Sequence, residues 1–266
     1  MSYYARLSTV VAARGALCVG VDPHGAVMER WGVTPGVAGL ERVALGLVEA
    51  LGDRVAVFKP QSAFFERWGS AGIAVLERCL GMIRQAGALS ILDVKRGDIG
   101  STMTAYAEAY LGDGPLRADA ITVSPYLGFQ SLAPAYELAE AGDRGIYVLA
   151  RTSNPEGSEL QLGRTVAGDQ IAQSIVDQAE ARNRLSGQNA VGLVVGGTHD
   201  DLGLNLASYR GSILVPGVGA QGGTIGGVRR LFAETPALVL PSVSREVLYA
   251  GPDPANLVAA VSALRG

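Results

Sequence analysis

The stretch ALSILDVKRGDIGST, from Ala88 to Thr102, joins a mostly apolar beginning to a cluster of charged residues. The apolar part predicts a buried strand, and side chains along a strand alternate between its two faces. Asp93 and Lys95 therefore point the same way, and we expect Gly97 to turn the chain so that Asp98 returns toward them. A cation between two carboxylates is costly to bury unless all three are paired. The pattern thus predicts either a site that handles charge away from water or a solvated charge cluster at a strand end, since structural ion pairs also form such networks.

Short apolar, β-branched runs of the same kind recur along the whole chain and are separated by helix-period stretches. The runs are 17–21, 55–58, 89–92, 120–123, 146–149, 191–195, 213–215 and 238–240. The helical stretches are 37–51, 73–85, 102–110, 130–140, 166–185, 228–233 and 254–264, with a much weaker one at 201–209. Continuous apolar strands that alternate with helices indicate parallel strands buried on both faces. The sequence therefore predicts an α/β fold, a (β/α)8 TIM barrel formed by one domain over residues 1–266, with an open doubly wound sheet as the alternative.

Residues of the candidate motifs, most of them polar, follow the predicted strands at their carboxyl ends, which is where barrel enzymes carry their chemistry. They are Asp22, Lys59, Asp93 with Lys95, Ser124, Pro216, and Ser242 to Arg245. Because all these strand ends meet at one rim of a barrel, we expect the side chains to form a single site. The polar segment 151–163 is expected to be a loop over that site.

A phosphate-binding end is predicted from four glycines and one arginine. Gly217, Gly219, Gly222 and Gly223 surround Gln221, and Arg245 follows the next strand. Glycines let main-chain N–H groups approach an anion, and arginine suits bidentate contact with phosphate. For the glycine-rich loop taken alone, simple turns are the better explanation, and Arg245 shifts the balance toward phosphate binding.

The composition limits the other classes of function. A net charge of −3 argues against a nucleic-acid surface. The two cysteines, Cys18 and Cys79, are expected to be buried thiols, and two distant histidines make a structural zinc site improbable. No apolar run approaches the roughly 18 residues that span a membrane, so we expect a cytoplasmic protein without membrane contact. Asp113 and Asp119 are expected to be solvated on the rim opposite the site.

The segment DVKRGDIGST resembles the active-site signature of the orotidine 5′-phosphate decarboxylases, in the variant group found in mycobacteria and some other bacteria. Further matching segments occur in the same order over nearly the whole chain. They are Val19–Pro23, Phe58–Gln61, Val123–Tyr126, Pro216–Gly223 and Ser244–Arg245.

This resemblance implies decarboxylation of orotidine 5′-monophosphate (OMP) to UMP and CO₂ without a metal or other cofactor. It makes Lys95 the proton donor to C6 of the pyrimidine, with Asp93 and Asp98 holding Lys59 and Lys95 in an alternating charge row. It also implies a homodimer with shared active sites, in which the partner subunit supplies Asp98 together with Ile99 and Thr102.

The resemblance also implies the substrate contacts. Asp22 and Lys59 would bind ribose hydroxyls, Ser124 the amide edge of the base, and Gln221 would reach from the phosphate toward the pyrimidine. The remaining substrate-binding residues would be Pro216, Gly222, Ser244 and Arg245. The roles of residues 61–65 stay open, because this segment departs from the more widespread groups of the family.

Three alternatives remain. A sugar-phosphate decarboxylase or hexulose-phosphate synthase of the same barrel type needs a metal held by an acidic residue after the second strand, where this chain has Lys59. An inactive phosphate-binding barrel would be expected to lose part of the charge row, which is complete here. An aldolase with a Schiff-base lysine needs a depressed lysine pKa, whereas carboxylates beside Lys95 act in the opposite direction.

Overall fold

The computed structural model describes residues 1–219 and 222–265, and its eight strands form a closed barrel. The strands are β1 (Cys18–Val21), β2 (Val57–Pro60), β3 (Leu89–Arg96), β4 (Ala120–Val123), β5 (Gly145–Arg151), β6 (Val191–Val195), β7 (Ser212–Val215) and β8 (Leu238–Val243). Each strand pairs in parallel with the next, and β8 closes on β1. The predicted barrel is confirmed, and all eight predicted runs lie in or overlap an observed strand.

Helices cover the outside of the barrel. They are α1 (Tyr3–Arg14), α2 (Gly25–Arg30), α3 (Val37–Leu51), α4 (Ser62–Glu66), α5 (Gly69–Gln85), α6 (Gly100–Leu111), α7 (Ala133–Ala141), α8 (Gly157–Gln161), α9 (Ile171–Ser186), α10 (Ile225–Leu231), α11 (Arg245–Leu248) and α12 (Pro254–Arg265). A short 3-10 helix, Phe129–Leu132, precedes α7. The helices cover the outer face of the strands, and side chains fill the interior of the barrel. Most strand positions are therefore buried on both faces.

Two helix predictions differ from the structure. Segment 201–209 contains no helix, because the side chains of Asp201 and Asn205 accept hydrogen bonds from main-chain N–H groups two residues onward and form turns instead. Helix α9 begins at Ile171, five residues later than predicted, since the residues before it form a turn closed by a bridge between Arg164 and Gln170.

The interior of the barrel is sealed at the amino-terminal end of the strands. Tyr3 and Leu7 of α1 are fully buried there in one apolar cluster with Cys18 and Tyr147, and the Tyr3 and Tyr147 hydroxyls are 2.9 Å apart. Burial raises the pKa of the Cys18 thiol to about 12, as it does for Cys79, and both cysteines are the buried thiols predicted. A cavity that reaches into the interior of the barrel can therefore open only at the carboxyl-terminal end of the strands.

The prediction that Asp119 is solvated is wrong, whereas Asp113 is 90% exposed as expected. The carboxylate of Asp119 accepts a hydrogen bond of 2.8 Å from Arg6 and two more from the main-chain N–H and hydroxyl of Ser90. It ties α1 to β3 and is only 13% exposed.

Among the residues that the structure describes, no helix is long and apolar enough to cross a membrane.

Candidate active site

Asp93 lies at the centre of the charge row and binds a lysine through each carboxylate oxygen. Its Oδ2 is 3.0 Å from Nζ of Lys59, and its Oδ1 is 2.5 Å from Nζ of Lys95. The hydroxyl of Thr122 donates a further hydrogen bond of 2.8 Å to Oδ1. Asp93 and Lys59 are only 6% and 7% exposed, so the ion pair between them is held largely out of water.

The pKa values of the buried pair are set by competing effects. Burial alone would raise the pKa of Asp93, but the ammonium groups of Lys59 and Lys95 outweigh it and hold that pKa well below its usual range. Burial alone would lower the pKa of Lys59, but the carboxylates of Asp93 and Asp22 outweigh it and raise that pKa above its usual value. Both groups are therefore charged at neutral pH, which meets the requirement that buried charges be paired.

The backbone at Lys95 is left-handed, with φ at +44°. The pairing of β3 with β4 shifts register between Leu92 and Arg96, so this lysine sits in an irregular part of the strand. A non-glycine residue in this conformation costs roughly 1–3 kcal/mol and persists only where its surroundings impose it. Here the main-chain N–H of Lys95 donates to Oγ1 of Thr122 at 2.9 Å. The distortion aims the half-exposed lysine side chain at Asp93 and the open cavity.

Asp98 does not join the charge row within one chain, contrary to the expectation drawn from Gly97. Its Oδ1 accepts a hydrogen bond from the main-chain N–H of Ile99, and in the described part of the chain it forms no ion pair. Gly97 is required for a different reason than predicted. A Cβ atom there would lie 2.4 Å from the carbonyl oxygen of Ser124, so only glycine permits this close approach of β3 to β4.

A cavity of about 300 Å³ opens above the charge row at the carboxyl ends of the strands. Among its lining residues are seven of the predicted site residues: Asp22, Lys59, Asp93, Lys95, Pro216, Ser244 and Arg245. These seven residues therefore meet at the carboxyl-terminal rim of the barrel, where they were expected. One oxygen of Asp22 and the hydroxyl of Ser244 are buried without a hydrogen-bond partner in the described residues, as expected of groups that face a polar ligand.

The other predicted site residues lie outside this lining. Ser124 is half-buried just beyond β4, Ile99 and Thr102 are exposed at the start of α6, and Gly222 is exposed in the glycine-rich loop. Gln221 lies outside the described residues.

The glycine-rich loop after β7 folds back on itself beside the cavity. Gly217, Gly219 and Gly222 all have positive φ, between +85° and +95°, and the N–H of Gly219 donates to the carbonyl of Gly223 at 2.7 Å. Arg245 begins α11 across from this loop and is exposed, and its guanidinium makes no hydrogen bond or ion pair with any residue that the structure describes. A guanidinium without a partner among the described residues, next to a glycine-rich loop, is suited to an anionic ligand.

Several lining residues were not singled out from the sequence. They are Thr122, Leu149, Thr152, Ser153, Asn154, Val194, Leu214, Val218 and Glu246. Thr122 could have been found, because it lies two residues before Ser124 and so on the same face of β4. Thr152 to Asn154 belong to the predicted loop 151–163 and reach the cavity, but the segment is not all loop, because Arg151 ends β5 and Gly157–Gln161 form α8. Gln61, whose role was open, accepts from Lys59 at 3.4 Å and donates to the main-chain oxygen of Asp93.

Comparison with known proteins gives a consistent result. The sequence profile of the "Orotidine 5′-phosphate decarboxylase / HUMPS family" matches residues 15–261. The chain is 54% identical to the orotidine 5′-phosphate decarboxylase of Salinispora tropica, over 100% of this chain and 94% of that protein. It is 50% identical to the enzyme of the same name from Streptomyces coelicolor, over 94% of this chain and 90% of that protein.

The fold agrees with these sequence matches. A crystal structure from Streptomyces avermitilis, of a protein provisionally named orotidine 5′-phosphate decarboxylase, superposes with a TM-score of 0.91 at 48% identity, covering 99% of this chain and 93% of that one. The chain belongs to the orotidine 5′-phosphate decarboxylase family.

Proposed function

We propose that this protein decarboxylates OMP to UMP and CO₂ in pyrimidine biosynthesis, in the cytoplasm and without a cofactor. The observation that carries the proposal is the row formed by Lys59, Asp93 and Lys95 below an open cavity. Seven residues that the family resemblance assigns to this reaction line the same cavity.

The chemical problem is the electron pair that remains on C6 when the bond to the carboxylate breaks. This carbon is vinylic and no adjacent carbonyl can absorb the charge. The ammonium of Lys95, held by Asp93 and by its strained backbone, stabilises the developing charge without any reorganisation of solvent. Lys95 then gives its proton to C6, UMP and CO₂ are formed, and the neutral amine regains a proton from water.

The rest of the substrate fits the polarity of the cavity. The phosphate would lie between Arg245 and the glycine-rich loop, where the guanidinium has no described protein partner. The ribose hydroxyls would bind Asp22 and Lys59, which supplies the missing partner of the buried Asp22 oxygen. Ser124 would bind the amide edge of the pyrimidine, and Gln221, Pro216, Gly222 and Ser244 would complete the contacts.

We propose that the active unit is a homodimer whose subunits complete each other's sites. Ile99 is 63% exposed, and Tyr126 and Leu127 nearby on the same rim are 76% and 52% exposed. Apolar side chains clustered at a rim are typical of an interface. Asp98, which makes no ion pair with any described residue of its own chain, would enter the partner's charge row together with Ile99 and Thr102.

The metal-dependent alternative is disfavoured by what surrounds Asp93. Both of its oxygens already accept hydrogen bonds, from Lys59 on one side and from Lys95 and Thr122 on the other. A divalent cation would have to displace an ammonium group, and Lys59 would repel it from the end of β2.

The test is to mix the purified protein with OMP and to follow the loss of ultraviolet absorbance, with UMP identified as the product. We expect full turnover after treatment with EDTA and no gain on adding Mg²⁺. Activity that disappears with EDTA and returns with Mg²⁺ would favour the metal-dependent alternative. No conversion of OMP under either condition would refute the proposed function.

A further inference from the structure

A second cavity lies at the opposite end of the barrel, where strands β3, β4 and β5 begin. It has a volume of about 310 Å³. Four of its lining residues are arginines, namely Arg6, Arg84, Arg117 and Arg144, and Asp119 is the only carboxylate among the lining residues described. The catalytic cavity lies at the other rim, so this cavity is not part of the active site.

The arginines keep most of their hydrogen-bond donors free. A guanidinium carries five N–H donors. In the described part of the chain, Arg84 makes one long hydrogen bond, 3.5 Å to the carbonyl of Arg117, and Arg117 makes one of 3.0 Å to Asp113. Arg144 donates one of 3.1 Å to the carbonyl of Gly142, and its Nε is buried without a partner among the described residues. Only Arg6 is well paired, because it binds both Asp119 and the carbonyl of Asp143.

The charges in this cavity are not balanced. Four guanidinium groups face one lining carboxylate, and that carboxylate also accepts hydrogen bonds from Ser90. Asp113, which lies near Arg117 and Arg144, is 90% exposed and so neutralises little of their charge. Burial, together with repulsion from Arg117 and Arg6, lowers the pKa of Arg144 despite the attraction of Asp119. This concentration of positive charge occurs in a chain whose net charge is −3.

We propose that this cavity binds a small molecule that carries a phosphate or diphosphate group. Planar guanidinium groups bind phosphate oxygens in pairs, which a single surface lysine cannot do. The hydroxyl of Thr9 and the apolar side chains of Val10 and Leu89 also line the cavity. They would contact the uncharged part of the ligand, as in other small-molecule sites.

The first test uses inorganic pyrophosphate as the probe and phenylglyoxal to label arginine side chains. Labelling of each arginine is measured by peptide mass spectrometry, with and without pyrophosphate at constant ionic strength. We expect labelling of Arg84 and Arg117 to slow about fivefold when pyrophosphate is present at four times its dissociation constant. Arg184, which is 74% exposed on α9, is the internal control and should label equally fast in both samples. Equal labelling of Arg84 and Arg117 in both samples would overturn the proposal.

The second test distinguishes specific binding in this cavity from non-specific electrostatic attraction of an anion to the protein. Pyrophosphate binding to UMP-saturated protein is measured by calorimetry for the wild type, for the double variant Arg84→Gln/Arg117→Gln, and for the control Arg184→Gln. We expect the double variant to bind at least about tenfold more weakly and the control to bind as the wild type does. The labelled side chains are exposed or half-exposed, so both variants should fold. Equal affinity in all three proteins, or an equal loss in both variants, would contradict the proposed site.

Discussion

The main-chain N–H of Lys95 donates a hydrogen bond of 2.9 Å to the hydroxyl oxygen of Thr122, across 27 positions of sequence. The same hydroxyl donates to Asp93, so one side chain fixes both the strained backbone of the proposed proton donor and the carboxylate that holds it. Thr122 thus acts as a positioning residue for the charge row.

Replacing Thr122 by valine should slow OMP turnover, because the shape is kept while both hydrogen bonds are lost. We expect kcat to fall roughly 10- to 100-fold, as for other displacements of a reacting group, and UMP binding to change little. The free energy of unfolding should fall by about 1–3 kcal/mol, since a buried donor is left unpaired. Thr122→Ser keeps the hydroxyl and is the matched control. If Thr122→Val turned over OMP as fast as Thr122→Ser, the positioning role would be wrong.

Replacing Arg245 by alanine should weaken the binding of UMP and OMP by roughly 2–5 kcal/mol, the usual cost of truncating one partner of a desolvated charge pair. Arg245 is exposed, and its side chain makes no hydrogen bond or ion pair with a described residue, so the variant should fold. Calorimetry with UMP measures the change. Arg210→Ala, an exposed arginine at the other end of the barrel just before β7, is the control and should bind UMP normally. Wild-type affinity in Arg245→Ala would show that the phosphate lies elsewhere.

The buried ion pair of Asp93 and Lys59 should make the stability of the fold depend on pH in a defined way. The pKa of Asp93 is lower in the folded chain than in the unfolded chain, so its stabilising contribution is complete above the unfolded value of about 3.9 and is lost as the pH falls below it. The pKa of Lys59 is raised, so its contribution is complete below about pH 10.4 and is lost only at more alkaline pH.

The difference in free energy of unfolding between the wild type and Asp93→Asn should therefore stay constant from about pH 7 to pH 5 and shrink below about pH 4. Urea denaturation at a series of pH values measures it. A difference that already shrinks between pH 7 and pH 5 would mean that Asp93 is not held ionised by the two lysines.

Much of the fold and the gathering of the site follow from local sequence. Strand periodicity located the eight strands, and in a barrel their carboxyl ends must meet, which brings Asp22, Lys59, Asp93 and Arg245 to one cavity. The remaining features depend on contacts between distant residues. The left-handed backbone of Lys95 needs Thr122 from the next strand, and the burial of Asp119 needs Arg6, which lies 113 positions away.

The position of Asp98 is another feature that local sequence does not predict. The local pattern suggested that a turn at Gly97 would return Asp98 to its own charge row, but the close contact of Gly97 with Ser124 sets a different course. If Asp98 acts in another copy of the chain, as proposed, the periodicity of its own sequence carries no signal of that role.

Mixing two inactive variants should reveal whether Asp98 acts across the subunit interface. Lys95→Ala and Asp98→Ala should each be nearly inactive as homodimers. If the sites are shared, each heterodimer has one site with both lesions and one with neither. Random exchange makes half of the dimers heterodimers, so activity should recover toward a quarter of wild type. Subunit exchange is verified with differently tagged chains. Exchange without recovery would show that Asp98 serves its own chain.

The most direct test of the charge row is the comparison of Lys95→Ala with Lys59→Ala, measuring OMP turnover and UMP affinity for both. Loss of the proton donor removes an interaction made in the transition state, so Lys95→Ala should lose at least roughly 1,000-fold in kcat while binding UMP nearly as well as the wild type. Lys59→Ala should lose both turnover and UMP affinity, because it also binds the ribose and leaves Asp93 without its buried partner. A Lys95→Ala protein that keeps turnover within about tenfold of the wild type would contradict the assignment of Lys95 as the proton donor.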